Sequence, residues 1–236
     1  FTSEESLDEL KQTILKVAVM GRLVPQDPND ETADELLKKI QAEKIKLINK
    51  KKQSQDKIVQ HIQGSQTLCK FPKNWLWLRL KDSYQSISPN GKQLKTSEIK
   101  TTGKFPVVDQ GQSYIAGYTD LDECLIKIPH PVIVFGDHTR NIKFIDFNFA
   151  AGADGTKILA PILINPRFFY YYLLSYKLES RGYARHFSIL NKNFIAIPPL
   201  TEQHRIVTKL DDLIILCDEL KSLIHQSSIK QNHIAD

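Results

Sequence analysis

Few of the usual footholds for chemistry are present in this chain. Its 236 residues include only three cysteines, Cys69, Cys124 and Cys217, too widely spaced to form a metal-ligand pattern. Free thiols in a reducing cytosol fit them, so a cytoplasmic protein is expected. No apolar run approaches the roughly 20 residues of a membrane-spanning helix. The opening Phe1-Thr2-Ser3-Glu4-Glu5 is acidic, unlike a signal peptide. No glycine-rich loop follows a strand-like run, so neither an S-adenosylmethionine site nor an NTP site is indicated, and no cofactor is expected. Ile197-Pro198-Pro199-Leu200 shares only its prolines with the Asn/Asp-Pro-Pro-aromatic motif of amino-methyltransferases. The groups that would hold the amine and stack on the base are missing. The first residue is not methionine, which points to a processed chain or a fragment.

What is present is an ordinary folded composition, 41% apolar and 25% charged, with an uneven charge. Residues 1–60 are neutral, 61–200 carry 17 Lys/Arg against 10 Asp/Glu, and 201–236 are net −2. The surplus therefore lies in the middle, as expected of a segment that meets a polyanion. A merely solvated lysine surface accounts for the same surplus.

The clearest periodic stretch lies near the C-terminus. Pro198 and Pro199 end what precedes them, and a helix can begin at Leu200 or Thr201 with Glu202 in its first turn. Ile206, Leu210, Leu213, Cys217, Leu220 and Ile224 then repeat at alternating spacings of 4 and 3. Such a seam needs another helix. At the other end a first helix is expected over 3–20, with the stripe Leu7, Leu10, Ile14 and Val17, ended by Gly21. A second starts at Thr32, whose spacing from Glu35 is that of a capping box, and runs to about Gln60. Its stripe is Ala33, Leu37, Ile40, Lys44 and Leu47, and this seam complements the C-terminal one. The two can pair antiparallel in one chain or between chains. Lys50-Lys51-Lys52 reads as a solvated face or a phosphate contact, and 61–70 as a linker.

From Phe71 the texture becomes that of a sheet. Strand-like runs recur at 76–80, 105–108, 124–128, 132–135, 143–145 and 156–159, with another near Ile115. A helix with proline in its first turn is expected over 165–176, its aromatics packed on the sheet. A last strand pair is expected at 188–190 and 194–197.

Four stretches together resemble the specificity subunit of Type I restriction–modification enzymes. They are Leu10-Lys11-Gln12 leading to Gly21-Arg22-Leu23-Val24-Pro25-Gln26-Asp27-Pro28; Pro72 to Trp77; Gly136-Asp137-His138-Thr139-Arg140; and Ile197 to Val207. The last is the most specific. The resemblance implies an α+β fold: a mixed α/β globular target recognition domain over 70–198, flanked by long helices forming an antiparallel coiled coil. Conserved helical regions would occupy 1–62 and 199–228. It further implies that the globule reads one half of a bipartite site on double-stranded DNA. The helices would set half-site spacing and dock adenine methyltransferase subunits through Leu37, Ile40, Leu47, Ile206, Leu210, Leu213, Cys217, Leu220 and Ile224. A separate restriction/translocase subunit cleaves. One recognition domain instead of two means a half subunit forming a homodimer through its helices, or part of a longer chain.

Loops that combine flexible backbone with polar side chains are the candidates for DNA contact. Gln110, Gln112, Ser113 and Tyr114 form one, where an amide can pair with adenine. His138, Thr139 and Arg140 form a second, and Arg181, Tyr183 and Arg185 a basic third. Lys157, after Asp154-Gly155-Thr156, belongs to a fourth. Each can equally be a turn that only shapes the fold. Two other classes compete: a metal-dependent DNA nuclease using Asp82, Glu98 and Lys100, and a coiled-coil assembly protein that binds no DNA.

Overall fold

A computed structural model describes residues 4–51, 71–89, 91–176, 178–179 and 185–234. The first helix, α1 (Glu4–Val19), buries Leu7, Leu15 and Ala18. It ends at Gly21, whose φ of +70° suits glycine. A Cβ there would lie 2.5 Å from Cγ of Pro72, so the end of α1 abuts the entry to the globule. In α2 (Ala33–Lys51) the capping box forms as the spacing requires: the Glu35 amide donates to Thr32 Oγ1 (3.3 Å) and the Thr32 amide to Glu35 Oε2 (2.9 Å). Leu36 and Ile40 are buried, and Leu37 and Leu47 pack beside them. The expected continuation to Gln60 and the linker after it fall outside the described residues.

The globule holds three sheets. β1 (Leu76–Arg79) pairs antiparallel with β10 (Phe194–Ile197), so the domain's first and last strands close on each other. β2 (Tyr84–Ile87), β9 (Thr156–Pro161), β6 (Val132–Gly136) and β7 (Ile142–Ile145) form an antiparallel sheet in that order. β4 (Gly117–Thr119), β3 (Phe105–Val108), β8 (Phe149–Ala151) and β5 (Leu125–Ile126) form the third, with β3 and β8 parallel. β6 is buried on both faces: Val132 and Val134 enter a cluster with Val108 and Phe149, while Ile133 and Phe135 join the main core. That explains its unbroken apolar run.

The helix expected over 165–176 is α3 (Pro166–Ser175), with the Asn165 side chain accepting from the amides of Arg167 and Phe168. Phe168, Phe169, Tyr171, Tyr172 and Leu173 are buried, as expected of aromatics packed on a sheet. The expected strand at 188–190 is instead a helical turn, α4 (Phe187–Leu190), closed by the Leu190 amide on the His186 carbonyl (2.8 Å). Only Leu190 of the four side chains is buried, and the strand that pairs with β10 is β1.

The last helix, α5 (Leu200–Ile234), pairs antiparallel with α1, whereas the seams matched it with α2. Lys11 meets Asp218, Lys221 donates to Asp8 (2.8 Å), and His225 meets Glu4 (3.0 Å). α2 packs instead on β1. Ile206, Leu210 and Cys217 of the expected seam are buried, Leu213 and Ile224 half-buried, but Leu220 is 41% exposed. Ile214 packs against the core, and 218, 221 and 225, at helical spacing from it, carry the ion pairs with α1.

The first turn of α5 binds every other part. Thr201 and Arg205 both meet Asp30, Arg205 with Nη2 2.6 Å from Oδ2 and Nη1 3.3 Å from Oδ1. Glu202, fully buried, accepts from Trp75 Nε1 (3.0 Å) and Gln26 Nε2 (2.5 Å) on one oxygen. The Gln203 side chain accepts from the Asn165 amide (2.7 Å) and donates to the Pro198 carbonyl (2.8 Å).

Ile206→Ala should cost about 2–5 kcal/mol, since the side chain is wholly enclosed. Leu223→Ala, at a position 61% exposed, should stay within about 0.5 kcal/mol in the isolated chain. Urea denaturation compares the two. Burial pushes the Glu202 carboxyl above its ordinary 4.5, against the opposing pull of Gln26, Trp75 and Arg205. A carboxyl raised by folding favours the protonated fold, so its effect on stability declines as pH climbs from 4.5 through the raised value. Glu202→Gln has no proton to lose, and its stability relative to the native chain should grow across that window. Denaturation midpoints at pH 4.5 and about 7 measure the difference, and a constant difference refutes the account.

Candidate nucleic-acid interface

The parallel pairing of β3 with β8 brings the C-terminal ends of both to one rim, beside the end of β6 and the start of β9. Four connections therefore meet: 109–116, 137–141, 152–155 and the approach to α4 at 185–187. They are tied mainly through main-chain groups. Gln110 is the hub between the first two. Its side-chain oxygen accepts from the His138 amide (3.1 Å), and its carbonyl accepts from Thr139 Oγ1 (2.5 Å) and Asn141 Nδ2 (3.0 Å). Gly155 closes against the same residues with a φ of +80°; a Cβ would lie 2.6 Å from Gln110 Oε1 and 2.9 Å from His138 Cδ2. Its carbonyl accepts from the Asp137 amide (2.8 Å).

Asp137 is the second hub and is buried. Its carbonyl accepts from the His186 amide (2.8 Å), its carboxylate accepts from the Phe187 amide (2.8 Å), and Lys157 Nζ stands 3.8 Å from the other oxygen. Arg140 adopts a φ of +65° and donates to the Leu178 carbonyl (2.8 Å). Tyr114, 49% exposed, donates to the Phe144 carbonyl (2.5 Å).

Of the residues expected at DNA, Gln112, Ser113, Tyr114, Thr139 and Arg185 are exposed at this rim, and Gln110, His138, Arg140 and Lys157 are half-buried in it. Gln110 is spent on internal bonds and serves as a clamp. Arg181 and Tyr183 lie outside the described residues. Sequence reasoning passed over the 91–97 stretch, which reaches the same rim. Leu94, 2% exposed, donates its amide to the Ala151 carbonyl (2.9 Å) beside Gly152, leaving Lys92, Gln93 and Lys95 in solvent. Its signal was a glycine among lysines, the composition already used for the other loops.

A groove of about 940 Å³ separates the rim from α1, with Glu5, Asp8 and Glu9 on one wall and Arg140 and Asn141 on the other. Lys16 lines the α1 wall as well, and Asp8 there is paired with Lys221. The acids and lysine weighed for a nuclease are engaged separately: Asp82 with Lys44, Glu98 with the Lys95 amide, Lys100 with Asp120. Among the described residues no three His, Cys, Asp or Glu side chains are grouped to hold a metal ion, and no helix is long and apolar enough to cross a membrane.

A family description, Type I restriction modification DNA specificity domain, matches residues 72–230, which is most of the chain and includes every element of this rim. The chain belongs to that family. It is 30% identical to the Type I restriction enzyme EcoAI specificity subunit of Escherichia coli, over all of this chain and 44% of that one. To the EcoEI specificity subunit of Escherichia coli it is 28% identical, over all of this chain and 45% of that one. It thus spans less than half the length of these two relatives. A solved chain described under complex assembly and conformational transition of the type I R-M system shares the fold. The TM-score is 0.57 at 17% identity, covering 98% of this chain and 54% of that one. Membership in the specificity family accounts for the mixed α+β globule joined to helices.

Proposed function

We propose that this chain is a sequence-recognition unit of a Type I restriction–modification complex, reading one half of a bipartite site on double-stranded DNA. The observation that carries this is the rim itself: loops from four parts of the sequence gathered at one end of the segment that holds the chain's surplus positive charge. Arg185 and Lys157 supply charge for phosphates, while Gln112, Ser113 and Thr139 present donors and acceptors suited to base edges. The chain performs no catalysis itself. It takes adenine methyltransferase subunits as partners, with a restriction/translocase subunit joining that assembly.

The helices supply spacing and docking. On α5 the residues Leu216, Leu220 and Leu223, 51%, 41% and 61% exposed, form a second stripe away from α1, next to half-buried Leu213. Spacings of 3, 4 and 3 are those of a coiled-coil seam, and such a stripe is covered by a further long helix. A second copy of this chain, or the remainder of a longer one, provides that helix. Ile206 and Leu210 support this surface from inside the core, as Leu37, Ile40 and Leu47 do for α2.

Co-expression with an adenine methyltransferase partner, followed by genome-wide mapping of methylated adenine, tests the assignment. A defined half-site is expected, and unmodified DNA under a co-purified complex would sink it. In binding to duplexes over a salt series, Arg185→Ala should weaken all sequences alike and reduce the salt slope by about one. Gln112→Ala should instead lose about 1–3 kcal/mol of discrimination at one base pair with the slope kept.

A further inference from the structure

Lys143 lies on β7 opposite Val134, with a side chain only 5% exposed. Its ammonium donates to the carbonyls of Asp109 (2.8 Å) and Ser113 (2.6 Å) and stands 3.4 Å from Asp109 Oδ1. An ammonium has three protons, and here three oxygens of one loop meet it. The same Asp109 oxygen accepts from the Gly111 amide (2.8 Å), and Gly152 backs onto Asp109 closely enough that a Cβ would lie 2.6 Å from its own. Tyr114 is fixed to the strand residue next to Lys143 through the Phe144 carbonyl.

A cation enclosed at this depth is costly unless each proton finds an acceptor, and an apolar side chain of similar volume often serves stability as well or better. Burial accordingly lowers the Lys143 pKa against the pull of Asp109. What no apolar residue can do is draw two carbonyls four positions apart onto one point. Lys143 therefore sets the shape of 109–113, and that loop's outward side chains are Gln112 and Ser113, with Tyr114 following.

We propose that Lys143 is a positioning residue for sequence readout, holding the 109–114 loop so that Gln112 and its neighbours present one fixed pattern of donors and acceptors to the base edges. The inference rests on the DNA-recognition reading above. Lys143 touches no DNA itself, because its ammonium faces the loop from within. Loss of the staple leaves electrostatic attraction intact and blurs the choice of base.

The test is selection from a pool of randomised DNA duplexes by the full chain and by Lys143→Met, with affinity for the unselected pool measured over a salt series. For the variant, pool affinity should remain within about threefold and the salt slope should be unchanged, since one lost phosphate contact would shift it by about 0.9. The native motif should survive except at one or two adjacent positions, where preference falls about tenfold or more. Amide exchange over 110–114 should quicken while that of β6 stays slow. Gln110→Ala removes the acceptor of the His138 amide while keeping the carbonyl bonds to Thr139 and Asn141 and the buried charge; it loosens the same loop, should weaken preference at the same positions, and decides the matter if Lys143→Met does not fold. A motif retained at full strength in the folded variants, or a slope reduced by about one, overturns the proposal. A native chain that selects no motif overturns the recognition reading along with it.

Discussion

Glu202 has no access to solvent, and much of the molecule converges on it. One of its oxygens accepts hydrogen bonds from Trp75, at the entry to the globule, and from Gln26, in the turn after α1. Its neighbours Thr201 and Arg205 bind Asp30, just before α2, and Gln203 binds the N-cap of α3. Three segments far apart in sequence, the connection between α1 and α2, the entry to the globule and the N-cap of α3, are thus fixed by five consecutive residues at the start of one helix. A buried carboxylate is a poor way to gain stability but a strict way to select one arrangement, because each alternative leaves a polar group unpaired. The rim depends on that selection, since β10 and α3 enter the globule directly from this joint.

The same joint explains what the most family-specific stretch, Ile197 to Val207, does between Thr201 and Arg205. Its side chains are committed to the molecule itself. The rim loops carry few such commitments through their outward side chains and are tied mostly by main-chain bonds: His138 amide to Gln110, Asp137 amide to Gly155, His186 amide to Asp137. A platform held by backbone can change its exposed residues without losing its shape.

Helices α1, α2, α3 and α5, the strands with strong β-branched content and the capping box at Thr32 were legible, because each signal is local. β2 and β8 were not. Phe149-Ala150-Ala151 has no alternation and little β propensity, and it is a strand because β3 and β5 flank it and exclude water. The partner of α5 was misread for a related reason. Heptad spacing says that a stripe must be covered but not by what, and here α5 lies against α1, which buries Leu7, Leu15 and Ala18 and sets Glu4, Asp8 and Lys11 opposite His225, Lys221 and Asp218. At the rim, glycine and polar composition pointed to four of the loops and passed over the one that carries Lys92 and Lys95. Composition could not separate an outward amide, Gln112, from one turned inward, Gln110, because that depends on a strand pairing across 30 residues.

On the DNA-recognition reading proposed above, the rim keeps attraction and choice apart. Lys92, Lys95 and Arg185 are exposed, and charges in solvent draw a polyanion from any direction without regard to its sequence. Discrimination between bases needs donors fixed to a fraction of an ångström, because a misplaced amide pairs with water as readily as with adenine. A flexible loop would satisfy the first need and fail the second. The interior of the rim is accordingly where the unusual polar groups sit: enclosed Asp137, enclosed Lys143 and the clamped Gln110. Each is costly to bury and bonded to main chain, and each becomes intelligible once the exposed side chains above it must hold still.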